Sequence, residues 1–257
     1  MYNPKFQYHD LSRTMAHPLN QAHQNKLSIT RDIEAGNISY SSEGLTVFNR
    51  NMHFLDDVEF ISAFNKIAKD DWERKHLWRA HVFSWAFKHG CSLPGDLIEL
   101  GVFKGFYSAI ATEYVNFKNV SKELWLVDTW NGVPQDKWNQ GYSHNAPYSD
   151  PAAFETAKSR FVQYNNVCIV VGSVPEILVT QSPSTISFLH LDMNSAKSEI
   201  GALETLFDRL VPGAICLFDD FGLSMFQENC QSSLAWLRNK GYSPVEFPTG
   251  QAIVIKR

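Results

Sequence analysis

Two groups of residues in this chain have types and spacings that do chemistry. The first is the run Glu99-Leu-Gly-Val-Phe-Lys-Gly105, followed at once by Phe106, Tyr107 and Ser108. Leu97, Ile98 and Leu100 form a short apolar run, Gly101 permits a tight turn, and Gly105 opens a helical pattern, so the stretch predicts strand, turn, helix. Glycines let a ligand come close to the backbone, and a helix N-terminus offers free N–H groups to its negative end. Glu99 would repel a phosphate and favours a ligand carrying positive charge, such as an amine or a sulfonium. The dinucleotide fingerprint needs a middle glycine where Phe103 stands, which disfavours a dinucleotide oxidoreductase. The alternative is a tight turn that holds no ligand.

The second group is acidic. Asp192, Asp219 and Asp220 each end an apolar strand-like run, Ile186 to Asp192 and Ala214 to Asp220, and the two strands are expected to be neighbours. Carboxylates crowded at one sheet edge repel unless they are protonated or neutralised by a cation. Oxygen ligands without Cys or His favour Mg²⁺, with Mn²⁺ or Ca²⁺ behind it. Both Asp219 and Asp220 can bind only if the chain turns at Asp219. Hydrogen-bonded caps without a metal are the alternative.

Other residues belong around these two groups. Asp128 ends the run Leu124 to Asp128, 23 residues after Gly105, near the roughly 20-residue spacing at which a carboxylate accepts ribose hydroxyls; a cap on the next turn is its other reading. Thr129 to Pro151 is a long stretch with Trp130, Trp138, Tyr142 and Tyr148 and no regular period, the kind of loop that covers a substrate. His144, in its middle, is a candidate general base, and Lys197, about a helical turn beyond Asp192, is a second. Arg79 is placed to reach a carboxylate at the end of the first strand. His76 and His81 are five apart, not the four that puts two metal ligands on one helix face, and read as packing.

The elements that must position these residues follow the rhythm of a parallel sheet. Phe60, Phe64 and Ile67 fit one helix, and Trp78, Val82, Trp85 and Ala86 another that stops at Gly90. Strands around residues 97–100, 124–128, 167–171, 186–192 and 214–219 alternate with helical stretches, which implies right-handed crossovers and a doubly wound α/β fold. Sites in such sheets lie beyond the C-terminal strand ends. Tyr242 to Phe247 and Gln251 to Ile255 are joined by too short a link for a crossover and must pair as an antiparallel hairpin. Residues 1 to 50 are polar and lack periodicity; with a helix to residue 70 they are expected to form a partly ordered arm, a lid or a dimer contact, with a disordered tail as the alternative, ahead of a catalytic domain over residues 71–257.

Composition narrows the class. With 257 residues, 44% hydrophobic and 19% charged, the chain can bury a sizeable core, and a net charge of −4 without a basic cluster excludes nucleic acid as the expected partner. No apolar run approaches a membrane span and the N-terminus has no signal-peptide pattern, so a cytoplasmic chain is expected. Cys91, Cys168, Cys216 and Cys230 lack metal-type spacing and read as reduced thiols.

The motifs together resemble a family. Glu99-Leu-Gly-Val-Phe-Lys-Gly-Phe-Tyr-Ser108 looks like the first cofactor motif of metal-dependent class I S-adenosylmethionine methyltransferases. Pro94-Gly-Asp-Leu-Ile-Glu-Leu-Gly-Val102, Val127-Asp-Thr-Trp-Asn-Gly-Val-Pro134, Leu189-His-Leu-Asp192 and Leu210-Val-Pro-Gly213 followed by Asp219-Asp-Phe-Gly222 resemble the macrocin O-methyltransferase group, over about residues 75 to 257. That resemblance implies a Rossmann-like, mostly parallel seven-stranded sheet and Mg²⁺-assisted methylation of a hydroxyl on a small-molecule acceptor, a natural product or its sugar. It places Glu99, Gly101, Gly105 and Ser108 at the amino-acid end of the cofactor, Asp128 at the ribose and Gly172-Ser173 at the adenine, with Val102, Thr129 and Asp192 also in contact. Asp192, Asp219 and Asp220 would hold the metal. The family's second acid and aromatic after the metal aspartate are replaced here by Met193-Asn-Ser-Ala-Lys197. A homodimer is expected. The same fold doing decarboxylation or cyclisation, or serving as a non-catalytic binding subunit, is the alternative.

Overall fold

The computed structural model describes residues 36, 38–137, 139, 148 and 150–257, and the chain divides at Met52/His53 into two units. In the first, strands β1 (Ile38–Ser42) and β2 (Leu45–Phe48) form an antiparallel hairpin. Its turn is made by Glu43 and Gly44, both at positive φ (51° and 78°), the backbone that matches the twist of the strands. An irregular arm was expected here. The alternation Ile38-Ser-Tyr-Ser-Ser-Glu-Gly is the local signal for the hairpin, masked by its polar composition.

The second unit is built on a seven-stranded sheet ordered β5-β4-β3-β6-β7-β9-β8. β3 (Asp96–Leu100), β4 (Leu124–Asp128), β5 (Val167–Val171), β6 (Ile186–Leu191) and β7 (Leu210–Phe218) are parallel, whereas β9 (Ala252–Ile255) runs antiparallel to β7 and pairs with the short β8 (Val245–Glu246). The doubly wound sheet and its reversed C-terminal hairpin are those expected from the sequence. No described helix is long and apolar enough to cross a membrane.

The helices are α1 (Val58–Ile67), α2 (Asp71–Lys75), α3 (Leu77–Cys91), α4 (Phe106–Tyr114), α5 (Ala152–Phe161), α6 (Ala196–Leu206) and α7 (Gln227–Asn239). Asp57 caps α1 by accepting from the Phe60 N–H at 2.9 Å, and Ser195 caps α6 by accepting from the Ser198 N–H at 3.1 Å. Helix α1, expected to belong to the arm, is part of the larger unit: Phe60 and Phe64 are buried in its core. His76 and His81 pack as expected, His81 against Phe54 at 4.6 Å.

Strand alternation sorts the sheet's side chains into two cores. Leu97, Phe188, Ile215 and Leu217 face one core with Phe83 and Phe87 of α3. Ile98, Leu100, Leu189, Leu191, Cys216 and Phe218 face the other with Leu203 and Leu206 of α6. Continuing the same period-two count puts Glu99, His190, Asp192 and Asp219 on the α3 side.

Where β3 ends, the chain runs against the end of β6. Gly101 has φ +86°, and a Cβ there would lie 1.8 Å from the backbone oxygen of Asp192. Neither the dihedral nor the space accepts a side chain. Gly101→Ala should cost more than about 3 kcal/mol of unfolding free energy, because backbone rather than a movable side chain must give way. A urea midpoint that implies less than about 1 kcal/mol of loss would show that the two strand ends are not locked together.

Candidate active site

Beyond the C-terminal ends of the parallel strands lies a cleft of about 670 Å³, part of it open to solvent, with walls from three turns. Gly101 and Phe103 come from the turn after β3, Asp128 to Pro134 from the segment after β4, and Gly172 to Val174 from the turn after β5; Asp192, Met193 and Asn194 close it from β6. Of the residues expected at a cofactor, Gly101, Asp128, Thr129, Gly172, Ser173 and Asp192 line this cleft. Phe103, Trp130 and Asn194 all have positive φ (49°, 48° and 54°) and all line it. Left-handed backbone at three non-glycine residues concentrates strain on these walls.

Asp128 fills the capping role and also lines the cleft. Its Oδ2 accepts from the Val102 and Phe103 N–H groups at 2.6 and 2.8 Å, and its Oδ1 from Trp130 N–H at 2.8 Å. The carboxylate therefore ties the glycine turn of β3 to its own turn while standing at the cleft. Trp130 Nε1 donates back to the Phe103 carbonyl at 2.7 Å.

Glu99, Val102, Gly105 and Ser108 are not among the residues lining the cleft. Glu99 is buried: Ser108 Oγ donates to its Oε2, and His190 Nδ1 stands 3.2 Å from its Oε1. Glu99 shares the α3 face with His190, its register partner on β6. Gly105 serves packing, since a Cβ there would lie 2.7 Å from the Phe161 ring.

The acidic cluster forms as the strand ends imply. β7 stops at Phe218, the chain turns, and one oxygen from each of Asp192, Asp219 and Asp220 lies within 4.8 Å of the others. Arg79, however, reaches these acids rather than the acid of the first strand. Its Nη2 donates to the Asp219 carbonyl at 2.8 Å, to Asp219 Oδ2, and to Asp220 Oδ1 at 2.8 Å. Gln251 Nε2 donates to Asp219 Oδ1 at 2.8 Å, and His190 Nε2 stands 3.6 Å from the same oxygen.

The electrostatics follow from these neighbours. Burial opposes charge on His190, but Asp219 and Glu99 on either side outweigh it and raise its pKa to about 10. Burial opposes charge on Asp219 too, and there Arg79 and His190 prevail, holding it well below the usual carboxylate range. Asp192 and Asp220 are pushed up, by burial first; Asp219 adds to both, and Arg79 only partly offsets the rise in Asp220. Four carboxyl groups thus face two cationic side chains, Arg79 and His190. The excess of two negative charges is relieved by protonation of both Asp192 and Asp220, or by a divalent cation. Three clustered carboxylate oxygens form a hard donor set that fits a divalent ion.

The two candidate bases fare differently. His144, together with Trp138 and Tyr142, lies outside the described residues. Lys197 is exposed and pairs with Asp136 at 3.2 Å, away from the cleft, because its position at the start of α6 projects outward.

A second buried polar relay holds the cleft walls. Lys137, 3% exposed, donates to Ser173 Oγ at 2.8 Å and to the Val174 carbonyl at 2.6 Å, and pairs with Glu176. Ser195 Oγ donates to the Lys137 carbonyl, and Asn139 Oδ1 accepts from the Ala196 N–H at 2.9 Å, so residues 137 and 139 grip the turn that follows Asp192. Asn139 Nδ2 donates to Asn229 Oδ1; Asn229 and Ser233 then donate to the buried Glu199 carboxyl. Scattered Lys, Asn and Ser gave no periodic signal for this relay, whereas His190 was findable from its place two before Asp192.

With this geometry in view, comparison with known proteins is decisive. The sequence model of the Macrocin-O-methyltransferase (TylF) family matches residues 89–242, well over half of the chain. The chain belongs to this family. Among curated relatives, the 8-demethyl-8-(2,3-dimethoxy-alpha-L-rhamnosyl)-tetracenomycin-C 4'-O-methyltransferase of Streptomyces olivaceus is 25% identical over 144 residues, 51% of this chain and 54% of that protein. The chain spans about half the length of the curated relatives it matches. Among solved structures, the O-methyltransferase NovP superposes with a TM-score of 0.58 at 18% identity, over 70% of this chain and 80% of that one. CalS11, a TDP-rhamnose 3'-O-methyltransferase, gives 0.53 at 14%, over 95% and 97%. These likenesses establish the methyltransferase fold.

Glu199 carries a pH-dependent prediction. Burial lifts its pKa from 4.5 to about 7, although Asn229 and Ser233 oppose the rise. The folded state keeps the proton that the unfolded chain releases, so this group's contribution is fully present below pH 4.5 and is lost as pH rises through about 7. Glu199→Gln should gain on the wild type by roughly 2 to 3 kcal/mol between pH 5 and pH 8 in urea unfolding. A gap that stays constant with pH would mean that Glu199 ionises normally.

Proposed function

We propose that this chain is an S-adenosylmethionine-dependent, Mg²⁺-assisted O-methyltransferase acting on a hydroxyl of a small molecule, a sugar borne by a natural product or its nucleotide precursor. The observation that carries the reading is the adjacency of the cleft and the acid cluster, with Asp192 belonging to both. Family membership supports the reaction, and the activities of the rhamnosyl and TDP-rhamnose methyltransferases support the acceptor class.

In this reading Gly101 lets the amino-acid end of the cofactor approach the backbone, Asp128 and Thr129 face the ribose, and Gly172 and Ser173 face the adenine. S-adenosylmethionine supplies a methyl group on a sulfonium, and transfer to oxygen needs alignment and a deprotonated hydroxyl rather than protonation of the leaving thioether. Asp192, Asp219 and Asp220 would hold Mg²⁺, which lowers the pKa of a bound hydroxyl and fixes its position. Asp192 places the acceptor oxygen beside the cleft. Arg79 and Gln251 keep the Asp219 carboxylate from rotating. Apolar Phe103, Trp130, Tyr148 and Met193 keep water from the reacting atoms. His144 keeps its assignment as proton acceptor on sequence position, while the ion pair with Asp136 argues against Lys197. The homodimer belongs to the same proposal and is read by light scattering.

S-adenosylhomocysteine at 100 times its Kd should stabilise the protein by about 2.7 kcal/mol, with NAD giving none. A shift with NAD alone would overturn the assignment of the cleft. In turnover with labelled cofactor, Asp192→Ala should abolish metal-dependent methylation, and His144→Ala should slow it about 100-fold or more. A His144→Ala variant with unchanged rate and pH profile moves the base elsewhere.

A further inference from the structure

Arg79 is the least expected member of the acid cluster. It comes from α3, is 6% exposed, and a single nitrogen of its guanidinium bridges Asp219 and Asp220, two of the three carboxylates that would hold a cation. The guanidinium cannot lose its charge at any working pH. Its main chain is engaged as well, since Gln251 Nε2 donates both to the Arg79 carbonyl at 3.4 Å and to Asp219 Oδ1 at 2.8 Å. Helix, acid pair and C-terminal hairpin are thereby fastened at one point, and a permanent positive charge sits where a divalent ion would bind.

From this juxtaposition we infer that Arg79 is a positioning residue with two opposed effects on the cation. It presets Asp219 and Asp220 in the absence of metal, and its repulsion weakens the binding of a divalent ion so that the ion remains exchangeable. The inference rests on the cation part of the function proposed above. Two carboxylates left unpaired in a buried site would splay or take up protons, so the first effect supplies geometry. A like charge held within a few ångströms by the same oxygens lowers the affinity of a second cation, so the second effect tunes strength. Asp192, facing the cleft, is then the carboxylate through which an incoming ion gains its hold.

The test uses the full chain without cofactor or acceptor: Mn²⁺ and Mg²⁺ titration calorimetry, and thermal unfolding in EDTA and in excess cation. Arg79→Met should bind the cation about tenfold or more tightly than the wild type, since one positive charge leaves the cluster. Its melting temperature in EDTA should fall by about 10 °C and recover with cation. Arg79→Lys, which keeps the charge, should bind the cation about as the wild type does. Arg79→Gln, which removes the charge but keeps hydrogen-bond donors for Asp219 and Asp220, should also bind the cation more tightly than the wild type even if Arg79→Met folds poorly. A purely structural Arg79 would lower stability without tightening the cation. Unchanged or weaker affinity in Arg79→Met, beside measurable binding in the wild type, overturns the inference alone. No cation binding in any variant ends both the inference and the metal assignment, and an S-adenosylhomocysteine shift would still uphold methyl transfer.

Discussion

The organisation of this site depends on a row of buried charges at the C-terminal ends of three neighbouring strands. Glu99 on β3, His190 on β6 and Asp219 after β7 are linked across the sheet, and Arg79 closes the row from α3. None of these groups tolerates burial alone, because removing one partner strands a charge in a medium that cannot solvate it. The parallel register is what makes the row possible. Glu99 is opposite His190, and Asp192, one alternation step beyond His190, lines the cleft.

Above that row the walls of the cleft are fixed mostly by backbone and side-chain hydrogen bonds. Asp128 gathers three N–H groups from two turns, and Lys137 with Asn139 pins the segment after β4 to the turns after β5 and β6. Gly101 brings the first turn so close to Asp192 that the glycine turn and the acid cluster are locked together. A wall built this way is rigid before any ligand arrives, which favours a reaction that depends on alignment.

Much of this was legible from residues. The strand runs, the glycine turn, the reversed hairpin and the meeting of Asp192 with Asp219 and Asp220 all followed from period-two patterns and acids at strand ends. Local patterns could not say where a side chain points when strand alternation and a distant partner decide it. Glu99 was expected at the ligand, and its carboxyl is engaged by Ser108 and His190; Arg79 was expected at the first strand and instead lies across the acids after β7, 140 residues away in the chain. The relay through Lys137, Asn139, Asn229 and Glu199 joins four separate segments, and no spacing within one of them announces it. The β1–β2 hairpin was concealed by polar composition, although its Glu43-Gly44 turn was in view.

The central claim is that the acid cluster and the cleft form one site in which cation, acceptor oxygen and cofactor sulfur meet. A crystal grown with Mn²⁺ and S-adenosylhomocysteine, measured for anomalous scattering at the manganese edge, tests this most directly. One peak at about 2.1 to 2.3 Å from carboxylate oxygens of Asp192, Asp219 and Asp220, with the cofactor sulfur in the adjoining cleft, is the expected result. Cofactor in the cleft with no peak at the cluster, or a peak held by other residues, would contradict it.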